Sequence, residues 1–213
     1  MKTTIYLIRH GQSIGNSLHL MLGHTDLDLT DLGLEQAKAT ADALSNIHFD
    51  AIYSSDLLRA MSTARPNAAL RGMEVIPDSR FRELYLGDWE GMSVDDIARD
   101  YPDEFSVDWR EKFGLFRAPS GESVPELAER IFSALVSVAR AHPDKTLAIA
   151  THAAAIRAVW GKISGIMPED LSRELPFPSN ASYSVIEYDG ERLIPIEFSV
   201  DSHLFGMVTT WRD

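Results

Sequence analysis

The sequence predicts an α/β fold with a mostly parallel central sheet and helices on both faces. Three observations predict it: strand-like and helix-like segments alternate, several strand-like runs are apolar on consecutive residues, and helical segments follow them. Continuous apolar runs are typical of strands covered on both faces, and the alternation favours parallel pairing through crossover helices. We expect residues 1–213 to form a single α/β domain, which suits this chain length.

The predicted strands are short. In chain order they are TTIYLI (3–8), AIYSS (51–55), MEVI (73–76) and TLAIA (146–150). Two later runs, SYSVIEY and RLIPIEF, are separated by Asp189-Gly190, a dipeptide typical of a hairpin turn. We therefore expect the chain to end with an antiparallel pair.

Two helices are predicted in the first half of the chain. The first covers 30–44, with Thr30 as its N-cap. Its apolar face is expected to hold Leu34, Ala37, Ala41 and Leu44. The second covers 57–70, and Pro66 inside it predicts a kink or a break.

Two more helices are predicted in the second half. Ser123-Val124-Pro125-Glu126 has the pattern of a capping box with proline in the first turn. The helix that it starts has an apolar stripe at Leu127, Ile131, Leu135 and Val138. A further helix, AAAIRAVWGKI, follows Thr151-His152.

Residues 80–122 differ from the rest. They contain two aromatic-rich pieces with glycine and proline, LGDWEGMS and DWREKFGLFRAPSGES, and no clean strand. We expect an insertion over one end of the sheet that forms part of a lid and part of a pocket wall. Aromatic residues recur here with nearly helical spacing, which predicts a helical core stripe or, alternatively, a substrate wall: Phe105, Trp109, Phe113 and Phe116.

Composition limits the partners. The formal charge of −12 and the pI near 5.0 make nucleic acid and anionic membranes poor partners. No stretch approaches the ~20 apolar residues that span a bilayer, and the N-terminus lacks a signal-peptide pattern, so a cytoplasmic location is expected. The chain has no cysteine, which excludes disulfides, thiolate nucleophiles and cysteine-ligated zinc. Whether it forms a homo-oligomer stays open.

Cations and imidazoles follow three of the predicted strands. Arg9-His10 follows the first, Arg59 lies shortly after Ser54-Ser55, and Thr151-His152 follows TLAIA. Because the carboxyl ends of parallel strands meet at one edge of a sheet, we expect these groups to lie together. Arg and His in one cluster favour an oxyanion such as phosphate, and neutral imidazole is a competent nucleophile toward phosphorus. We expect Gly11 to let the backbone approach the ligand closely. No metal-binding cluster is evident, and no metal or cofactor is expected.

Four motifs in this order resemble the phosphoglycerate-mutase-like branch of the histidine phosphatase superfamily. They are RHGQSxxN, SSDLLRAMSTA, FREL with GDWEG, and a late TH before a helix. The resemblance covers nearly the whole chain and implies that family's α/β fold. One departure is Ala153-Ala154, where the family usually has glycine after the second histidine; a left-handed backbone at 153 would be strained.

The resemblance also implies roles for individual residues. His10 matches the nucleophile that becomes phosphohistidine, and Glu83 matches the general acid. The matches to phosphate-binding groups are Arg9, Asn16, Arg59 and His152. Asp88 and Glu90 remain competitors for the acid role, and Glu83 could instead pair with Arg80 or Arg82.

The family contains phosphatases and mutases. The short chain and compact insertion favour a metal-independent phosphomonoester hydrolase that acts on small phosphorylated metabolites. The alternatives are a phosphoglycerate mutase and a weakly active phosphate-binding regulatory module of the same fold. In the hydrolase, we expect Arg117 and the turn 121–123 to contact the organic part of the substrate.

Overall fold

The computed structural model describes residues 2–105 and 109–209 and contains a six-stranded sheet. The strands are β1 (Thr3–Arg9), β3 (Ala51–Ser54), β4 (Val75–Pro77), β6 (Thr146–Thr151), β7 (Tyr183–Tyr188) and β8 (Leu193–Val200). Their spatial order is β4-β3-β6-β1-β7-β8. The first four in that order pair in parallel, and the hairpin β7-β8 adds antiparallel to β1. The mostly parallel sheet and the terminal hairpin predicted from the sequence are confirmed.

Helices cover both faces of this sheet. They are α1 (Ile14–Ser17), α2 (Asp31–Ala43), α3 (Leu58–Arg71), α4 (Val94–Asp100), α5 (Val124–Ala141), α6 (Ala153–Ile163) and α7 (Leu171–Glu174). Side-chain alternation along β6 separates two cores: Leu147 and Ile149 face the cluster that includes α5 and α6, whereas Ala148 and Ala150 face α3. The small residues on the second face let a helix rich in alanine lie close to the sheet.

Most of the helix signals predicted from the sequence are realised. The Thr30 hydroxyl accepts from the Gly33 amide, and Ser123 forms the predicted capping box. The α5 stripe is fully buried, but Leu34 on α2 is 49% exposed, so its assignment to the buried face was wrong. Of the kink or break predicted at Pro66, the break was also wrong, because α3 runs unbroken from Leu58 to Arg71, and the kink stays a prediction. Buried residues flank Pro66 on both sides, and their packing offsets the missing amide.

The segment 80–122 contains a short strand that the sequence did not predict. Met92–Ser93 (β5) pairs antiparallel with Leu20–Met21 (β2) in a small second sheet. The predicted helical stripe was wrong over 109–116, where the backbone forms turns and a 3₁₀ turn at Phe113–Leu115; residues 106–108 lie outside the described residues. The aromatic rings nonetheless pack into the core around Trp89, so their spacing reflected burial rather than an α-helix.

Candidate active site

Three strand ends meet at one edge of the sheet, as the sequence predicted. The His10 amide donates to the Thr151 carbonyl (2.9 Å), which joins the end of β1 to the end of β6. The ring centroids of His10 and His152 are 5.2 Å apart, and His152 Nε2 lies 2.8 Å from the Ser55 hydroxyl after β3. Residues far apart in the chain therefore share one small volume.

His10 is held in one tautomer. Its Nδ1 lies 2.7 Å from the Gly11 carbonyl oxygen, and a carbonyl can only accept, so Nδ1 carries the proton. Nε2 is then left with its lone pair. Burial, reinforced by the charges of Arg59 and Arg9, holds the pKa of His10 well below its ordinary value. His10 is therefore a neutral imidazole over the physiological range, the form that can attack an electrophile.

Two buried guanidinium groups surround this imidazole. Arg59 is 1% exposed, and its two terminal nitrogens donate to the carbonyls of Thr25 (2.9 Å) and Gly23 (2.7 Å). Arg9 Nη1 donates to the Pro178 carbonyl, while its buried Nε has no hydrogen-bond partner among the described residues. Burial lowers the pKa of each arginine to about 10, so both remain cations at neutral pH.

The loop before β7 holds the backbone of Arg9 and His10 in place through hydrogen bonds. The His10 carbonyl accepts from the side chain of Asn180 and from the Ala181 amide, both at 3.1 Å, and the Arg9 amide donates to Ser182 (3.0 Å). Ala181 is fully buried with φ +56°, a left-handed conformation that costs a non-glycine residue energy. Asn180 is a site residue that sequence analysis missed, because a polar residue in a loop carries no signal of its tertiary partners.

Asn16 is oriented by the same network. Its Oδ1 accepts from the Ser13 amide and hydroxyl (3.0 Å each) and from Asn180 Nδ2 (3.2 Å). Because all of these donors meet the oxygen, the Nδ2 group is the end available to the cleft that Asn16 lines. Asn16 thus presents a donor to any bound anion.

His152 has an unsatisfied donor or acceptor. The Ser55 hydroxyl, which accepts from the Leu57 amide, can either donate to His152 Nε2 or accept from it, and its donation places the imidazole proton on Nδ1. This Nδ1 is buried with no partner among the described residues. Burial and Arg59 hold the pKa of His152 well below its ordinary value. Ala153 begins α6 and is not among the residues with positive φ, so the expected strain at this position is absent.

Glu83 lies at the N-terminus of α6. Its carboxylate accepts from the amides of Ala154 and Ala155 (3.2 Å each) and from that of Leu84 (2.9 Å). It also lines the same cleft as His10. The alternative pairing was wrong: Arg80 pairs with Asp78 and Arg82 with Asp56, each at 2.6 Å.

The competing carboxylates have other partners. Glu90 Oε1 accepts from the His24 amide (2.7 Å) and the Leu86 amide (3.2 Å), and thereby holds the loop whose carbonyls bind Arg59. Asp88 is exposed and its carboxylate accepts from the Ser120 hydroxyl. Neither lines the cleft, which leaves Glu83 as its only carboxylate among the described lining residues.

Arg117 and Gly11, two expected substrate contacts, have other partners in the structure. Arg117 pairs with Glu126 and donates to the Gly121 carbonyl (3.2 Å), and it does not line the cleft. Gly11 is required for the close approach to α2, because a side chain there would collide with the Gly33 carbonyl. Its amide donates to Thr63 (3.0 Å).

The cleft combines a few polar side chains with a mostly apolar lining. Counted with its open mouth it measures about 730 Å³. Its charged, imidazole and amide side chains, which we call the polar cluster, are Arg9, His10, Asn16, Arg59 and Glu83. The other described lining residues are apolar: Leu20, Met21, Leu22, Gly23, Leu84, Leu86, Trp109, Phe113, Phe116, Ala153, Ala154 and Phe177. The aromatic segment thus serves both as core and as cleft wall.

Residues 2–105 and 109–209 contain no group of three or more His, Asp or Glu side chains that is arranged to hold a metal ion. No helix in this part of the chain is both long and apolar enough to cross a membrane.

Comparison with known proteins assigns the family. Residues 5–199 match the model of the histidine phosphatase superfamily (branch 1). The chain belongs to the histidine phosphatase superfamily. It is 34% identical to phosphoserine phosphatase 1 of Hydrogenobacter thermophilus over 94% of this chain and 93% of that protein. It is 31% identical to a probable phosphoglycerate mutase, GpmB, of Yersinia pestis over 86% of this chain and 84% of that protein.

Solved structures agree with this assignment. YhfR of Bacillus stearothermophilus superposes with a TM-score of 0.88 at 30% identity, over 95% of this chain and 99% of that one. The mycobacterial glucosyl-3-phosphoglycerate phosphatase Rv2419c gives 0.84 at 26% identity, over 94% of this chain and all of that one. The predicted family, fold and type of enzyme, a phosphatase of this superfamily, are confirmed.

Proposed function

We propose that this histidine phosphatase hydrolyses phosphomonoesters of small metabolites through a phosphohistidine on His10. The observation that supports it most is the buried, neutral His10 with a free Nε2 beside two buried arginines. Fixed cations in a site that excludes water stabilise the charge that builds on phosphoryl oxygens in the transition state.

In the first step, His10 Nε2 attacks phosphorus and the bond to the ester oxygen breaks. Arg9, Arg59 and the Asn16 amide bind the phosphoryl oxygens. Glu83 gives its proton to the leaving oxygen, so that a neutral alcohol departs.

The second step returns the enzyme to its starting state. Water attacks the phosphohistidine, Glu83 takes the proton, and inorganic phosphate leaves while Nε2 recovers its lone pair. The buried Nδ1 of His152, which lacks a protein partner among the described residues, is suited to donate to a phosphoryl oxygen in both steps. Residues 80–122 act in this proposal as a wall and lid that limits entry of water.

A phosphoglycerate mutase is the second candidate, since relatives with this name match most of the chain. A phosphatase and a mutase differ in the fate of the phosphohistidine, because a mutase excludes water from it and returns the phosphoryl group to a substrate. We favour hydrolysis because relatives over nearly the full length are named phosphatases.

The test follows phosphate release and phosphohistidine lifetime together. The protein is incubated with a panel of phosphomonoesters and with 2,3-bisphosphoglycerate, with His10→Ala as control. Phosphate release by wild type and its loss in the variant support the proposal. A long-lived phosphoenzyme with isomerised phosphoglycerate supports the mutase instead, and phosphate binding without turnover of any ester supports a regulatory module. A small phosphorylated metabolite as partner and a cytoplasmic location belong to the same proposal.

A further inference from the structure

Outside the polar cluster, the described lining of the cleft offers no charged or amide side chain to the alcohol part of a substrate. The rest of this described lining is formed by aliphatic and aromatic groups, among them Leu20, Met21, Trp109 and Phe177. A substrate carboxylate or ammonium placed there would lose water without gaining a partner, which is costly.

One cation lies behind this wall but does not reach the cleft. Arg157 on α6 is 2% exposed and is absent from the cleft lining. Its guanidinium carbon lies 4.1 Å from the ring centroid of Phe177 and 4.8 Å from that of Phe113, and the two rings meet edge to face at 4.8 Å. The rings therefore separate Arg157 from anything bound in the cleft.

Arg157 holds the segments that form the wall. Its Nε donates to the Leu175 carbonyl (2.9 Å), which ties the chain just before Phe177 to α6. The Phe113 amide donates to the Ser172 hydroxyl (3.2 Å), so the segment 109–116 docks on the same region. No carboxylate among the described residues pairs with Arg157, and burial lowers its pKa to about 10, so it stays a cation. Its stabilising contacts are the two rings and the carbonyls of Leu175 and Leu171, while its buried Nη1 has no hydrogen-bond partner among the described residues.

We infer that the preferred substrates are phosphomonoesters whose alcohol is uncharged and presents aromatic or other apolar surface, held against a Phe113–Phe177 wall that Arg157 positions. This inference rests on the proposed hydrolase function and names its substrate class. It differs from a transfer of the relatives' named substrates, because phosphoserine carries a carboxylate and an ammonium on its alcohol part.

Esters of primary alcohols test the preference without changing the type of leaving group. The values of kcat/KM are compared for benzyl phosphate, glycerol 3-phosphate and O-phosphoserine. Burial of a phenyl ring predicts a preference of about 50-fold for benzyl phosphate over either polar ester. A preference for phosphoserine or glycerol 3-phosphate overturns the inference but leaves the hydrolase intact, whereas absence of hydrolysis of all three esters overturns the proposed function itself.

Variants test the wall. The benzyl-to-glycerol ratio of kcat/KM is independent of the fraction of folded enzyme, so it tolerates partial destabilisation. Arg157→Met and Phe177→Ala are expected to lower this ratio about tenfold, mainly through KM for the benzyl ester. The matched control is Arg140→Met, because Arg140 is a surface arginine that contacts Tyr188 away from the cleft. A ratio unchanged in Arg157→Met, or lowered equally in Arg140→Met, overturns the role of Arg157.

Discussion

The replacement Glu83→Gln removes a proton donor from the cleft while keeping the shape of the side chain. Three backbone amides, those of Leu84, Ala154 and Ala155, hold the carboxylate in place. Glutamine keeps one acceptor oxygen and turns an amide group toward the remaining donors. Loss of one or two such bonds costs about 1–3 kcal/mol of unfolding free energy, so the variant folds.

The expected kinetic loss depends on the leaving group. An alkoxide such as benzyl alkoxide must be protonated as it leaves, and loss of a general acid lowers kcat/KM by about 10²–10⁴-fold. The p-nitrophenolate ion leaves without a proton, so kcat/KM for p-nitrophenyl phosphate is expected to fall less than about tenfold. This parameter reports the first irreversible step, formation of the phosphohistidine, and excludes its later hydrolysis.

Glu90→Gln is the matched control, because Glu90 acts on Arg59 through the loop at 23–25 and does not line the cleft. It is expected to lower kcat/KM for both esters by the same factor. Equal losses for both esters in Glu83→Gln would refute the assignment of Glu83 as the acid.

Three further outcomes are expected. Asn180→Ala removes donors to His10 and Asn16 and should lower kcat/KM about 10–100-fold by misplacing both. Thr209→Val removes the hydroxyl that bonds to Asn180 Oδ1 and Gln36 Nε2 but leaves the donors to His10 in place, and it should cost less than threefold; equal losses in the two variants would contradict this. Arg59→Lys keeps the positive charge but loses the planar pair of N–H donors of the guanidinium group, and it should lower kcat/KM about 10²–10³-fold. A value within threefold of wild type would contradict this expectation. The unfolded chain protonates His10 and His152 near pH 6, whereas the folded chain keeps both neutral. Urea unfolding should therefore show an unfolding free energy that falls from pH 6.5 to 5.5, by up to about 1.4 kcal/mol per pH unit for each of these histidines. A flat profile would refute this expectation.

The convergence of the site could be predicted because one topological rule governs it. Arg9-His10, Arg59 and His152 each follow a strand, and parallel strands present their carboxyl ends at one edge. The strands themselves could be predicted from their continuous apolar runs. The family resemblance then suggested Glu83, whose loop position has no periodic signal of its own.

Other features depend on tertiary contacts that no local pattern encodes. Asn180 acts through a carbonyl 170 residues away. Leu34 is exposed on α2, which packs on α3 and buries Ala37 and Ala41 instead. Pro66 lies in an unbroken helix because packing on both sides outweighs local propensity. Arg157 did leave a signal, as the one charged residue in the run AAAIRAVW (153–160), and such a residue needs a buried partner.

Trapping of the phosphoenzyme tests the central claim most directly. The protein is mixed with a ³²P-labelled phosphomonoester, quenched in alkali, where phosphohistidine survives, and mapped by peptide analysis. The account predicts label on His10 in wild type and none in His10→Gln. Label on another residue, or turnover by wild type with no covalent label at any time point, would contradict it.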